Sequence, residues 1–249
     1  MLPVGPMMVE HRLIERMIAL IKAEAARIRS TGRVNADFVL SAVDFIRTYA
    51  DCCHHGKEEG ILFRELKQKP LAPEHRDILA ELEAEHMQGR ETVRKLLIAQ
   101  DRFLKGDRGA PTELAALMER LAVFYPRHIE KEDRHFFEPC MDYFTPEEAE
   151  KMLGECREFD RSLVHQLYGG LVQGLEGPPI ATAGPAVATA QEGPPSEQYA
   201  CMMCGYTFDS RIGDPVGKIP PGTPFGKLPR DWVCPHCHAS KRAFILVRI

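Results

Sequence analysis

Two cysteine pairs in this sequence have the spacing of metal-binding knuckles. They are Cys201 with Cys204 and Cys234 with Cys237, and two residues separate the members of each pair. Four thiolates from two such pairs can enclose one metal ion in a tetrahedral site. Thiolate is a soft ligand, so zinc and iron are the two candidate metals. The cysteines alone are compatible with either a zinc ribbon or an iron site.

The residues between the two pairs favour iron. From about Gln198 to the C-terminus the sequence closely resembles rubredoxin. The resemblance implies one iron, bound by all four cysteines, that cycles between the ferrous and ferric states. The matching runs are Gly205-Tyr206, Gly213-Asp214-Pro215, Ile219-Pro220-Pro221-Gly222-Thr223-Pro224-Phe225, Leu228-Pro229 and Asp231-Trp232.

One residue departs from the rubredoxin pattern. Rubredoxins usually carry glycine after the second cysteine of each pair. Gly205 keeps this pattern, whereas His238 replaces the second glycine. Histidine can adopt a positive φ at a conformational cost, so we expect the fold to tolerate His238. The reduction potential of the iron is the property that the substitution puts in question.

A second set of candidate ligands lies on four predicted helices. Each helix carries one histidine in line with its apolar stripe, and these are His11, His54, His86 and His128. A buried histidine is normally hydrogen-bonded or metal-bound. Glu58 and Glu132 follow two of them at a distance of four residues, which places each pair one turn apart on one helix face. A buried carboxylate costs several kcal/mol unless it is paired or metal-bound. Imidazole with carboxylate suits iron, and two bridging carboxylates suit two irons.

These elements resemble the hemerythrin-like, His-His-Glu cation-binding family over about residues 5–170. The resemblance implies a non-heme diiron centre, with oxo or hydroxo and carboxylate bridges, inside a four-helix bundle. It makes the four stripe histidines terminal ligands, and it makes Glu58 and Glu132 the bridging carboxylates. The matching motifs are Glu10-His11-Arg12, the run from His54-His55-Gly56 through Lys57-Glu58-Glu59 to Phe63, Glu85-His86, and the run from His128 through Glu132-Asp133.

Two departures separate the sequence from oxygen-carrying hemerythrin. The third helix of a carrier offers His-x-x-x-His, but Arg90 occupies the fourth position after His86. The last ligand pair of a carrier is His-x-x-x-x-Asp. Asp133 could supply that spacing, although His128 with Glu132 is the better helical pair. The departures argue against a stable, reversible oxygen carrier.

Four further residues are candidates whose roles the sequence leaves open. His135 follows His128 by seven residues, so we expect an extra nitrogen ligand there, with a place behind the ligands or in solvent as the alternative. His55 is a possible ligand through an alternative pairing with Glu59. Tyr125 lies one turn before His128 and could place its hydroxyl near the iron, or pack as an amphipathic residue. Tyr125 and Glu59 are the candidate proton donors.

The elements that must position these residues follow from apolar periodicity and from the breaks between periodic segments. The fifth predicted helix starts at Thr145, where Pro146 and Glu148 indicate a capping box. Short connections between four long helices predict an up-down-up-down bundle, with the fifth helix packed outside it or against a partner. The fold class is mainly α, with a small rubredoxin-like iron-binding domain. The four long helices are predicted over about 7–30, 35–67, 73–105 and 112–138.

Composition divides the chain into three parts. Residues 5–172 form the predicted bundle, and residues 198–249 form the rubredoxin domain. Between them, residues 173–197 contain Gly177-Pro178-Pro179 and Gly193-Pro194-Pro195 within an alanine-rich stretch. Such a segment has little to bury and is predicted to be a flexible linker.

Charge and hydropathy exclude several classes of function. The net charge is −4, which offers no attraction to nucleic acid. No stretch approaches the roughly 20 apolar residues of a membrane span. The first residues lack the basic and apolar regions of a signal peptide. Four of the eight cysteines belong to the predicted metal site, and the others fit a reducing cytoplasm.

Two redox sites on one chain predict an enzyme that consumes electrons. Reducing hydrogen peroxide to water takes two electrons, which a diferrous centre holds and a rubredoxin iron can return singly. The fusion resembles the rubperoxin type of protein, which implies a peroxidase of the oxidative stress response. Its electron donor would be an NAD(P)H-dependent reductase.

The alternative is an oxygen or nitric oxide binding or sensing protein with a redox-active rubredoxin module. Iron storage is disfavoured because the sequence shows no acidic nucleation cluster. The sequence leaves a homodimer open.

Overall fold

The computed structural model of the chain describes residues 1–160, 169, 171–173, 175–176, 198–201 and 206–247. Four long helices build the bundle domain, and two of them contain π-helical stretches. The first helix is Val4–Thr31 and the third is Pro73–Leu104. The second helix combines Ala36–Phe45, the π-helical Ile46–His55 and Glu58–Phe63, and Arg64–Leu66. The fourth combines Ala110–Lys131, the π-helical Glu132–Phe137 and Glu138–Cys140, and a 3₁₀ turn follows at Met141–Tyr143.

The helix ends follow from local chemistry. Gly32 ends the first helix with a φ of 66°, and its N–H donates to the carbonyl of Ile28. The side chain of Asn35 accepts from the backbone N–H of Phe38 and caps the second helix. Thr145 and Glu148 form the predicted capping box at the start of the fifth helix, Pro146–Phe159. The helix boundaries predicted from the sequence are confirmed to within three residues.

The helices pack in the order expected for an up-down bundle. Each long helix contacts the next along the chain, and the first helix also contacts the fourth. The fifth helix packs on the outside, against Glu58–Phe63 of the second helix. Gly56 permits this approach, because a Cβ atom there would lie 3.0 Å from the ring of Phe159. The expected four-helix bundle with an additional outer helix is confirmed.

Two apolar clusters leave a polar layer between them. One cluster fills the middle of the bundle, with Ile14, Ala50, Val93 and Leu121 among its buried residues. The other occupies the end of the bundle near the first residues of the chain and includes Met7, Phe63, Leu82 and Phe136. In each long helix the predicted histidine ligand lies between residues of the two clusters. The candidate ligands are therefore brought to one level inside the bundle.

The C-terminal domain, residues 198–247, contains a three-stranded antiparallel sheet. Its strands are β1 (Gln198–Cys201), β2 (Thr207–Asp209) and β3 (Phe244–Val247), in the order β2-β1-β3. The core of the domain is aromatic, and Trp232 donates to Asp214 over 2.8 Å. Gly213 has a φ of 74°, and a Cβ there would lie 2.4 Å from the carbonyl oxygen of Ile219. Glycine is therefore required at this turn.

The predicted linker begins later than the sequence suggested. Helical backbone is described at 169, 171–173 and 175–176, Leu175 packs on the bundle core, and Glu176 pairs with Arg16. The prediction of a linker from residue 173 was thus too early, because these side chains have partners on the first helix and in the core. Residues 174 and 177–197 of that prediction lie outside the described residues. Among the helices that are described, none has the length and apolar character needed to cross a membrane.

Candidate metal centres

Three thiols converge in the C-terminal domain. The sulfur atoms of Cys201, Cys234 and Cys237 lie within 4.8 Å of one another, and all three residues are buried. The sulfurs of Cys201 and Cys237 are 3.8 Å apart. Sulfurs placed about 2.3 Å from one ion, at the corners of a tetrahedron, are separated by about 3.8 Å, so the three thiols fit a single metal. Cys204, the fourth predicted ligand, lies outside the described residues.

Seven residues converge in the polar layer of the bundle, and they form two adjoining sites. The two-histidine site contains His11 and His54 together with Glu58 and Glu132. The three-histidine site contains His55, His86 and His128. Within each site the candidate ligand atoms lie within 4.8 Å of one another. The structure thus brings together the four stripe histidines and the two glutamates that the sequence predicts as ligands.

The two glutamates face both sites. Glu58 places one carboxylate oxygen 3.2 Å from Nε2 of His54 and the other 3.3 Å from Nε2 of His86. Glu132 likewise places its oxygens 3.2 Å from Nε2 of His11 and 3.1 Å from Nε2 of His128. Each carboxylate therefore has one oxygen for the two-histidine site and one for the three-histidine site. This is the arrangement required of a bridging ligand.

The atoms that point into the two sites are buried and lack hydrogen bonds. They are Nε2 of His55, His86 and His128 and all four carboxylate oxygens of Glu58 and Glu132. Buried polar atoms without partners are rare and costly in folded proteins. In addition, Nε2 of His11 and Nε2 of His54 are 2.8 Å apart. The residues present fit bound metal, because a cation would satisfy the orphaned atoms and separate the two facing imidazoles.

A carboxylate lies behind every one of the five histidines. Each Nδ1 atom lies within 3.4 Å of an Asp or Glu oxygen, which fixes Nδ1–H as donor and leaves Nε2 free for a metal. A Lys or Arg in turn holds each carboxylate. The sets are His11–Asp133–Arg12, His54–Glu10–Lys57, His55–Asp51–Arg90, His86–Glu59–Arg90 and His128–Glu85–Lys131.

The π-helical stretches decide which histidines face inward. His54 and His55 end one such stretch, and Glu58 begins another. A π-helical turn is wider than an α-helical one, so consecutive residues turn less around the axis. Both His54 and His55 can then point into the bundle, and the structure assigns His55 to the three-histidine site.

His135 is a correction to the sequence analysis. The residue is exposed and belongs to neither site, so the prediction of an extra nitrogen ligand there does not hold. The reason is the π-helical stretch Glu132–Phe137, which begins after His128, contains His135 and ends the seven-residue register. His55 supplies the third nitrogen of the three-histidine site.

Three other candidates are placed around the sites. Glu59 accepts from Nδ1 of His86 over 2.6 Å and binds Arg90, so it lies on the far side of the imidazole from the metal-facing nitrogen. This position suits orientation of His86 and not the proton donation predicted for Glu59. Asp133 is 2.7 Å from Nδ1 of His11 and is likewise a partner of a ligand. Tyr125 is buried and lines a cavity of about 400 Å³ together with His55.

The histidines and carboxylates of the two sites shift one another's pKa values. Burial alone would lower the pKa of each of these histidines, but the adjacent carboxylates raise the pKa of His54 to about 10 and that of His128 to about 9. The same competition raises the pKa of His86 to about 11. Burial and the neighbouring His86 lower the pKa of His55 to about 3. Burial and Glu132 oppose ionisation of Glu58, yet His54 and His86 outweigh them and lower its pKa.

Among the carboxylates behind the histidines, Glu10, Asp51 and Glu85 were not predicted as functional residues from the sequence. Glu10 immediately precedes His11 but pairs with His54, and Glu85 immediately precedes His86 but pairs with His128. The repeated Glu-His pair on the first and third helices is the signal that could have found them. Because each glutamate serves a histidine on a neighbouring helix, their roles become visible only when the helices are packed.

Comparison with known proteins gives matches to both parts of the chain. The profile of the hemerythrin HHE cation-binding domain matches residues 2–140, and that of rubredoxin matches residues 198–244. Rubredoxin-2 of Chlorobaculum tepidum is 50% identical over 48 residues, which are 19% of this chain and 92% of that protein. The high molecular weight rubredoxin of Moorella thermoacetica is 53% identical over 49 residues, 20% of this chain and 21% of that protein. The chain thus spans only about a fifth of the length of the second relative.

Proposed function

The chain belongs to the hemerythrin HHE cation-binding family and carries a rubredoxin domain, and on this basis we propose that it is a non-heme diiron hydrogen peroxide reductase. It receives its electrons through its own rubredoxin domain. The proposal also places the protein in the cytoplasm, with an NAD(P)H-dependent reductase as the external electron donor.

One observation carries the proposal. Glu58 and Glu132 each present one oxygen to the two-histidine site and one to the three-histidine site, on the same chain as a thiolate site. Two irons held there would supply the two electrons that convert one hydrogen peroxide and two protons into two waters, and would polarise the peroxide oxygens. A protein that only binds a ligand has no need of an attached one-electron carrier.

The cavity beside His55 gives a small substrate a place next to the three-histidine site. Apolar side chains of Ile46, Val93 and Leu97 form much of its wall. Tyr125 lines the same cavity, and burial, together with the charges of Asp51 and Glu132, raises the pKa of its hydroxyl. The hydroxyl therefore stays protonated at neutral pH. We assign proton donation to Tyr125.

A specific observation supports the alternative of oxygen or nitric oxide binding. The sequence places Arg90 where a carrier has its second histidine on the third helix. His55 nonetheless gives the three-histidine site its third nitrogen, and this is the observation that supports a binding protein. Arg90 binds Asp51 and Glu59 instead, outside the set of candidate ligands.

The two functions are separated by mixing the reduced, iron-loaded protein with either oxidant in the absence of the other. For a peroxidase we expect rapid oxidation by one equivalent of hydrogen peroxide, a slower reaction with oxygen, and sustained turnover when an external reductant is supplied. A stable oxygen adduct combined with slow oxidation by peroxide would reject the peroxidase and favour the binding protein. Stopped-flow absorbance at the iron–thiolate and iron–oxo bands follows both reactions.

A further inference from the structure

One of the five histidine sets continues out of the bundle domain. Behind His11, the guanidinium of Arg12 donates one N–H to Asp133 and another to Nδ1 of His238. His238 immediately follows Cys237, one of the thiolate ligands. Within the part of the chain that the structure describes, the cations of the other four sets show no such hydrogen bond to the C-terminal domain.

The two domains also touch elsewhere, so this hydrogen bond belongs to a docked arrangement. Ser240 donates to Glu138 of the fourth helix over 2.8 Å. One apolar cluster runs from Met7, Phe137 and Cys140 in the bundle domain into the aromatic core of the C-terminal domain. The loop of Cys234–Cys237 therefore lies against the end of the bundle that contains His11. The shared apolar cluster and the two interdomain hydrogen bonds hold it there.

A continuous series of bonds and hydrogen bonds connects the thiolate site to the two-histidine site of the bundle. Cys237 is bonded covalently to His238, His238 is hydrogen-bonded to Arg12, and Arg12 to Asp133. Asp133 is 2.7 Å from Nδ1 of His11, whose Nε2 faces the two-histidine site. Three hydrogen bonds therefore connect a thiolate ligand of one site to an imidazole ligand of the other.

The backbone at His238 has a conformation that glycine adopts more easily than histidine. Its φ is 60°, a conformation that glycine adopts without cost and other residues rarely adopt. Glycine, which rubredoxins usually carry here, would leave Arg12 without this partner. The imidazole thus occupies a strained backbone position, and its hydrogen bond with Arg12 is a contact that glycine could not make.

We propose that His238, Arg12 and Asp133 form an intramolecular bridge that docks the C-terminal domain and couples its thiolate site to His11. The inference rests on the proposed relay of electrons between two iron sites. With iron bound at both places, each passage would take one electron from the thiolate iron, oxidising it from ferrous to ferric, and would reduce the bundle site by one electron. Two passages restore what one peroxide consumes, and the electrons move within one chain.

The test compares electron transfer in the full-length, iron-loaded protein and its variants. Flash photoreduction delivers one electron to the oxidised thiolate iron, and the return of its red absorbance reports transfer to the bundle. For the unmodified protein we expect a first-order rate that is independent of protein concentration. His238→Gly removes the imidazole and relieves the backbone, so it should fold, retain its colour, and transfer electrons more slowly by about tenfold or more.

Two further variants control for strain and for charge. Lys218 also has a positive φ, of 56°, in the same domain, so Lys218→Gly gives the same backbone relief without touching the bridge and should not change the rate. Arg12→Lys keeps the charge but lacks the planar fork that reaches two partners, so it should slow transfer as His238→Gly does. Equal slowing by Lys218→Gly would overturn the proposal, as would an unchanged rate in His238→Gly.

A second readout does not use iron chemistry. In the full-length protein loaded with redox-inactive zinc, the ¹⁵N shift of His238 Nδ1 should be that of a hydrogen-bond acceptor, and Arg12→Lys should change it. An Nδ1 shift that Arg12→Lys leaves unchanged would overturn the bridge. Neither readout uses peroxide, so a protein that fails to reduce peroxide would reject the proposed function while leaving this test intact. A transfer rate that rises with protein concentration would place the transfer between chains and reject the bridge.

Discussion

At the scale of single residues, each ligand histidine is defined by the contacts of both its nitrogens. Nδ1 donates to a carboxylate, and Nε2 faces a site whose other atoms lack hydrogen bonds. The carboxylates that raise the pKa values of His54, His86 and His128 also orient their rings. The same residues thus set the geometry of the site and its charge.

Replacing Glu58 or Glu132 with alanine should remove iron from the bundle domain and leave the red colour of the thiolate site. Each substitution deletes an oxygen from both sites at once and leaves bound cations under-neutralised. Metal analysis and visible spectroscopy measure the two effects separately. His75→Ala is the control, since His75 binds Tyr143 away from both sites and should keep all the iron. Full iron content in both glutamate variants would contradict the ligand assignment.

Iron binding to the metal-free bundle should release protons, and its affinity should fall as the pH is lowered. At neutral pH the raised pKa values of about 9 to 11 keep His128, His54 and His86 protonated, and a metal ligand must be neutral imidazole. His55, with a pKa lowered to about 3, is already neutral and contributes no proton. Anaerobic calorimetric titration with ferrous iron in buffers of different ionisation enthalpy counts the protons. Binding near pH 7 without proton release would refute the prediction.

At the scale of the elements, the π-helical stretches decide which residues face the two candidate metal sites. They occur at Ile46–His55, Glu58–Phe63 and Glu132–Phe137, which carry or adjoin four of the seven site residues. A π-helical stretch changes the face on which every later residue lies, so it turns His55 inward and lets His135 face solvent.

His55→Ala should therefore lower the iron content of the three-histidine site, whereas His135→Ala should not. Loss of one imidazole removes one of three nitrogens from that site, and we expect affinity to fall by about tenfold or more, as for other ligand-shell changes. Iron-binding titrations of the two variants, monitored by absorbance, give the comparison. The opposite result, with His135→Ala the weaker binder, would show that the helix keeps an α-helical register.

At the scale of the whole molecule, the chain joins two candidate metal centres that lie in two domains packed against each other. The bundle buries the seven residues of its two sites, and the described thiols of the C-terminal domain are buried in an apolar cluster that continues into the end of the bundle. In this docked arrangement a chain of hydrogen bonds through His238, Arg12 and Asp133 connects Cys237 to His11. Covalent connection keeps the two parts at a high effective concentration.

Removing the C-terminal domain should leave oxidation of the reduced bundle by one equivalent of peroxide unchanged and should slow steady-state turnover. The first reaction uses only groups of the bundle, whereas re-reduction uses the thiolate site. Added as a separate chain, the domain should restore turnover only near the roughly millimolar effective concentration that covalent connection of two domains can provide. Unchanged steady-state turnover in the shortened protein, measured with an external reductase, would reject the relay.

Much of the fold and of the site followed from the sequence because it rests on local spacing. The C-x-x-C pairs, the His-x-x-x-Glu pairs and the capping box at Thr145 are each defined by residues within one turn or one loop. Their geometry is fixed by the element that carries them, so the convergence of the six principal bundle residues and of the three described thiols could be predicted.

What only the tertiary structure decided depends on residues that are distant in sequence or on a change of helical register. Periodicity carries no signal for a π-helical stretch, so His55 and His135 could not be distinguished from spacing. Glu10 and Glu85 find their histidines on other helices, and Arg12 meets His238 across 226 positions of sequence. Such contacts exist only after the helices and the C-terminal domain have packed, because packing alone brings these side chains within hydrogen-bonding distance.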